Sequence, residues 1–172
     1  MNTVNITAEF LVARIDEELA QLSDRRVIEH IRSLLVAPSP QMRAWDYGAA
    51  GDVYPCWLVL AQRCQNTGIA YCGRGFGPRT PWGLLPLEGT RHMSMGMDCA
   101  WFGRFLDAYF ESPASTELPI WRVFRHEGTD FPGAPISDED SWDATCEKVM
   151  RLRREQPDVR FDCWQSVYLR RE

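Results

Sequence analysis

Lysine is almost missing from this sequence. Lys148 stands alone, and the other side chains of fixed positive charge are arginines. The bias reads as genomic base composition. The 24 acidic residues outnumber the 19 lysines and arginines, for a net charge of −5. Phosphate affinity rests on basic surface, so nucleic-acid binding is not expected. An acidic surface instead suits a basic protein partner. Long apolar runs are missing as well. None approaches the ~20 residues that span a bilayer, and no membrane partner is expected. The opening MNTVNITAEFLVARIDEELAQL brings in acids early and has no uninterrupted apolar stretch. It does not read as a secretory leader, and the expected location is the cytoplasm.

Metal-binding spacings are lacking too. There is no Cys-x-x-Cys pair, and His30, His92 and His126 lie far apart. Neither a metal nor a cofactor is expected. The six cysteines, at 56, 64, 72, 99, 146 and 163, are even in number. A chain of 172 residues can bury a core without disulfide staples. Without an export signal, reduced thiols are the expectation. Internal repeats and low-complexity tracts are absent. Seven tryptophans argue against disorder, and the length fits a single domain over residues 1–172.

The apolar pattern supplies the elements. Thr7 to Leu22 reads as a helix capped by Thr7, with Leu11, Ile15, Leu19 and Leu22 on one face. A second helix runs from Asp24 to about Val36, where Pro38 and Pro40 end it. MRAWDY, residues 42–47, reads as a short strand. VYPCWLVLAQ, residues 53–62, is the strongest strand, and with 69–72 it forms an antiparallel hairpin. Residues 82–87 read as another strand. Asp98 is expected to cap a helix to about Glu111, and residues 119–125 to alternate as a strand. Ser137-Asp138-Glu139-Asp140 reads as a helix start, its acids facing the dipole, with the helix running to about Glu155. Residues 161–169 read as a terminal strand. No regular βαβ repeat appears. The expectation is an α+β fold: a mainly antiparallel sheet, an N-terminal helical hairpin and two further helices packed on the sheet.

The segment with most to say about function is NTGIAYCGRGFGPRTPWGLL, residues 66–85. Its glycines at 73, 75 and 77 do not match a dinucleotide fingerprint. Pro78 and Pro81 oppose the helix that such a loop must open, and the Gly-Lys-Ser/Thr ending of a nucleotide phosphate loop is missing. The glycines serve a tight connection first of all. Beyond that, Arg74, Phe76, Arg79 and Trp82 crowd a short segment, and arginines and aromatics are enriched where proteins bind each other. Plain packing of Phe76 and Trp82 is the competing account.

Other constellations have ordinary explanations. Cys72, His92 and Asp98 could in principle make a thiol, base and orienting acid. A buried thiol packed as a small hydrophobe is the commoner fate. Met93, Met95 and Met97 read as core filling, and Arg151, Arg153 and Arg154 as a solvated helix end.

The run from 66 to 85, with SMGMDCAWF soon after it, resembles a pattern of small uncharacterised bacterial cytosolic proteins. Some of these look like immunity proteins, which neutralise a cognate toxin. The resemblance spans roughly residues 45–110 and assigns no residue a role. The leading expectation is therefore a non-enzymatic module that occludes another protein, a basic toxin or enzyme, through Arg74, Phe76, Arg79 and Trp82. The alternatives are a cysteine-dependent hydrolase using Cys72 and His92, or a domain that holds a small anionic ligand on the same arginines.

Overall fold

A computed structural model describes residues 6–89, 94–96, 99–118, 120–126 and 135–165. The chain divides into two compact units, Met1–Ser115 and Thr116–Glu172. The fold class is α+β, as expected. No helix among the described residues is long and apolar enough to cross a membrane.

The N-terminal unit opens with the helical hairpin. In α1 (Ala8–Leu19) the Thr7 hydroxyl accepts the Phe10 amide at 3.2 Å, the cap read from sequence. Leu11, Ile15 and Leu19 turn inward at helical spacing. In α2 (Arg25–Leu34) Asp24 caps the Arg26 amide at 3.0 Å, and Val27 and Ile31 are buried. This helix stops at Leu34, short of the prolines. Pro38 and Pro40 lie instead within β1 (Leu35–Trp45), which is far longer than the strand expected at 42–47. The ladder to the next strand is irregular between Leu35 and Ser39, and among the described residues β1 has its second neighbour only at Ala44 and Trp45. Pro38 thus falls in the irregular part of the ladder, and both prolines fall where β1 has no second neighbour among the described residues, the edge position at which sheets tolerate proline.

The expected hairpin is present as β2 (Val53–Gln62) and β3 (Thr67–Tyr71). A short 3-10 turn, Arg63–Gln65, joins them, and Asn66 takes φ +52°. Asn66 also clamps Glu88, accepting its amide at 2.8 Å and donating to its carbonyl at 3.0 Å. Beyond β3 come β4 (Trp82–Pro86), β5 (Ser94–Met95) and β6 (Ala100–Phe102). The six strands order as β5-β1-β2-β3-β4-β6. Every neighbouring pair is antiparallel except β1 with β5.

The helix expected from Asp98 begins only at Phe105, as α3 (Phe105–Glu111); residues 100–102 are strand, and Asp98 lies outside the described residues. Its start has no local side-chain cap. The buried Glu18 carboxylate, reaching over from α1, accepts the Phe105 amide at 3.1 Å and the Leu106 amide at 3.0 Å. Arg104 stands 3.7 Å from the same carboxylate.

In the C-terminal unit, β7 (Trp121–Arg125) lies between β8 (Pro135–Glu139) and β9 (Phe161–Gln165), both antiparallel to it. α4 (Trp142–Glu155) packs on this sheet, where Val123, Val149 and Phe161 form the core. The helix start read at Ser137 is displaced to Ser141, whose hydroxyl accepts the Ala144 amide at 3.2 Å. Ser137, Asp138 and Glu139 are strand residues instead. Asp138 sits opposite Arg122 in the ladder and pairs with its buried guanidinium at 3.7 Å. Of the strand expected at 161–169, residues 166–169 lie outside the described residues.

Candidate functional site

The glycine loop runs from Cys72 to Pro81 and joins two antiparallel neighbours, β3 and β4. It therefore leads into a strand and not a helix. Backbone bonds close it: the Cys72 amide donates to the Pro81 carbonyl at 2.8 Å and the Gly77 amide to the Arg74 carbonyl at 3.0 Å. The Thr80 hydroxyl donates to the Phe76 carbonyl at 3.2 Å. Two of the glycines are required by geometry. Gly75 has φ +65°, and a β-carbon there would stand 2.9 Å from both the Met95 methyl and the Trp45 ring. A β-carbon on Gly77 would stand 2.6 Å from the Cys72 carbonyl oxygen. The loop folds tightly on itself and lies flat on Trp45 and Met95. Gly75→Ala is accordingly expected to lower stability by about 1–2 kcal/mol from its left-handed backbone alone, with more from the contact, as read from a urea unfolding curve.

This folding places Phe76 at the centre of an aromatic group. Its ring meets Trp45 edge-on at 5.0 Å and Tyr47 at 5.8 Å, and tilts against Trp101 at 5.8 Å. Trp45 also contacts Tyr47 at 5.3 Å and Tyr54 at 6.4 Å. Rings at these separations favour one another beyond their buried area. Phe76 remains 39% exposed and Tyr47 60%. Arg74 and Arg79 are exposed on the same loop.

Of the four residues singled out from sequence, three thus share an exposed loop and the fourth does not. Trp82 is 0% exposed. Its ring packs edge-on against Tyr71 at 5.0 Å and Phe105 at 5.4 Å. It opens β4 on the inward side, and its place is the core. Sequence reasoning missed the rings behind Phe76. Trp45 ends β1, Tyr47 lies in the turn just past it, and Trp101 in β6 lies over Gly83, whose β-carbon would stand 2.9 Å from it. MRAWDY and AWF carry the signal only as aromatics near strand ends; the sheet order is what joins them.

The thiol at the head of the loop is buried, with Cys72 0% exposed. The neighbouring Cys56 thiol pulls the Cys72 thiol below its ordinary range, helped by the Arg74 amide and guanidinium. His92 and Asp98, the base and acid that a nucleophile reading requires, lie outside the described residues. All six cysteines are free thiols. Among the described residues, no group of three or more His, Cys, Asp or Glu side chains could hold a metal ion. A separate open groove of about 410 Å³ between α1 and α2 is lined by Asp16, Leu19, Arg25, Ile28, Glu29 and Arg32. Its charges are of both signs, and Arg25 is already paired with Glu29 at 3.1 Å. The chain matches no family model, no curated protein and no solved structure.

Proposed function

We propose that this chain binds another protein through the face made by Arg74, Phe76 and Arg79, in the manner of an immunity-type or regulatory protein that occludes its partner without covalent chemistry. One observation carries the reading: Phe76 stands 39% exposed on a closed loop, held by the rings of Trp45, Tyr47 and Trp101. A ring already fixed by its neighbours gives up little conformational freedom on binding. Flanking arginines complete the composition found at interface centres. The complementary surface is an apolar pocket for Phe76, rimmed by carboxylates for Arg74 and Arg79. At longer range the net charge of −5 favours approach by a basic protein, such as a toxin or an enzyme.

The test uses the tagged chain as bait in extract of its own cells, beside the Phe76→Ala/Arg79→Ala variant. Arg79 is exposed but Phe76 also packs on Trp45, Tyr47 and Trp101, so the variant's urea unfolding curve is recorded beside the parent's and capture is compared where both are folded. A stoichiometric protein partner should copurify with the parent and be lost from the variant, each residue contributing about 2 kcal/mol. Equal recovery by both baits would move the site elsewhere, and recovery by neither would remove the reading.

A further inference from the structure

Beneath the loop, sulfur atoms gather. Cys56, Cys72 and Met95 are packed together in one buried cluster, with Cys99 against it. The strand register explains the first two. Trp57 faces Tyr71 and Leu58 faces Ala70, so one further step along the β2–β3 hairpin sets Cys56 opposite Cys72. The Cys72 amide is turned away from β2, donating to the Pro81 carbonyl at 2.8 Å. Cys56 and Cys72 therefore occupy the kind of cross-strand position that lacks ladder bonds, where α-carbons approach to about 4.5 Å. A disulfide spans roughly 4.4–6.8 Å between α-carbons. The two thiols influence each other, Cys56 being pushed up and Cys72 drawn down, and the Cys56 S–H donates to the Met95 sulfur at 3.2 Å.

We propose that Cys56 and Cys72 are a reversible dithiol site that closes to a disulfide across the hairpin when the protein meets a hydroperoxide. The two roles differ. Cys72 is the attacking sulfur, since the neighbouring Cys56 thiol and the Arg74 amide and guanidinium all favour its thiolate. Its sulfur takes the terminal peroxide oxygen, the O–O bond breaks, and the alcohol or water leaves with a proton. The Cys56 sulfur then displaces the hydroxyl of the Cys72 sulfenic acid, and its own proton departs in the second water. Two thiols lose two electrons in all, and one peroxide bond gains them.

Access runs through the loop. Cys56 is 1% and Cys72 0% exposed, yet exposed Gly73 directly follows Cys72, and a β-carbon there would have no neighbour closer than 3.8 Å. Gly75 lies against Met95 and Trp45, and the route we infer for the peroxide is a displacement of Gly73 to Phe76. The inference does not rest on the loop's binding a partner, and a partner seated on Phe76 would close this route.

The experiment treats the full chain with hydrogen peroxide at neutral pH, blocks remaining thiols, and maps tryptic peptides by mass spectrometry. Cys64 is exposed and shares a tryptic peptide with Cys72, so the Cys64→Ser variant is the substrate. The expected result is residues 44–63 joined to residues 64–74, two hydrogens lighter than the separate peptides and parted again by dithiothreitol. Adding Cys72→Ser should abolish the joined species. Recovery of Cys56 and Cys72 as blocked thiols while Cys146 or Cys163 oxidises would overturn the proposal. So would Cys72 pairing with Cys99, or passing directly to sulfinic acid. The Cys64→Ser map decides the matter even if adding Cys72→Ser prevents folding.

Discussion

Trp82→Ala is expected to cost about 3–5 kcal/mol of stability, the range for truncating a large buried aromatic. Domains hold only about 5–15 kcal/mol in total, so a large part of the N-terminal unit's margin would go. The reason is local. Trp82 is 0% exposed, opens the inner strand β4, and wedges between Tyr71 and Phe105. Truncation leaves a cavity where sheet and α3 meet, and close-packed walls relax only partly. Trp82→Phe should be far milder, at about 1–2 kcal/mol. The indole N–H has no hydrogen-bond acceptor among the described residues, so phenylalanine forfeits volume and no bond. Urea unfolding followed by circular dichroism measures both. An alanine variant with an unchanged midpoint would contradict the core assignment. Any loss of partner capture by Trp82→Ala should therefore follow loss of fold, whereas Phe76→Ala should separate the two.

Glu18→Ala is expected to cost about 3 kcal/mol, because it removes two charge-assisted hydrogen bonds and strands two buried amides. The amides are those of Phe105 and Leu106, held at 3.1 and 3.0 Å. Both are first-turn groups of α3 that the helix cannot satisfy itself. The carboxylate also sits at the positive end of that helix's dipole. Glu18→Gln keeps one acceptor oxygen and should lose about half as much. Hydrogen exchange supplies a second readout, since the first-turn amides of α3 should lose protection in Glu18→Ala before the rest of the unit does. Equal stability of parent and both variants would show that another group caps the helix.

Glu18 also shows where sequence reasoning stops. Helices α1 and α2 and the β2–β3 hairpin were legible because their signals are local: caps at Thr7 and Asp24, spacing of buried residues, a turn at Asn66. The start of α3 was not, because its cap lies 87 positions earlier in the chain. Pro38 and Pro40 look like helix stops, and nothing in their neighbourhood reveals an open strand that tolerates them. Ser137 is followed directly by acids and Ser141 by Trp142 and then Asp143, yet Asp138 is held in the strand opposite Arg122, which pairs with it across the ladder. The candidate site divides in the same way. Composition picks out the loop with Arg74, Phe76 and Arg79. The rings behind Phe76 come from the ends of β1 and β6, and only the strand order brings them there. Trp82 belongs to the loop by sequence and to the core by strand alternation.

The placement of the two prolines in β1 has a consequence for how this protein meets its own copies. An open strand edge is a template on which another chain can add a strand, the first step toward aggregation. Along this stretch Pro38 and Pro40 offer no N–H to an incoming backbone, and the irregular ladder between Leu35 and Ser39 bends the strand locally. An invading strand would find a row of carbonyls with gaps among the donors, and could not zip past them in register. The edge is thereby blunted against self-templated growth, and the chain can carry an exposed aromatic loop without adding a second sticky surface beside it.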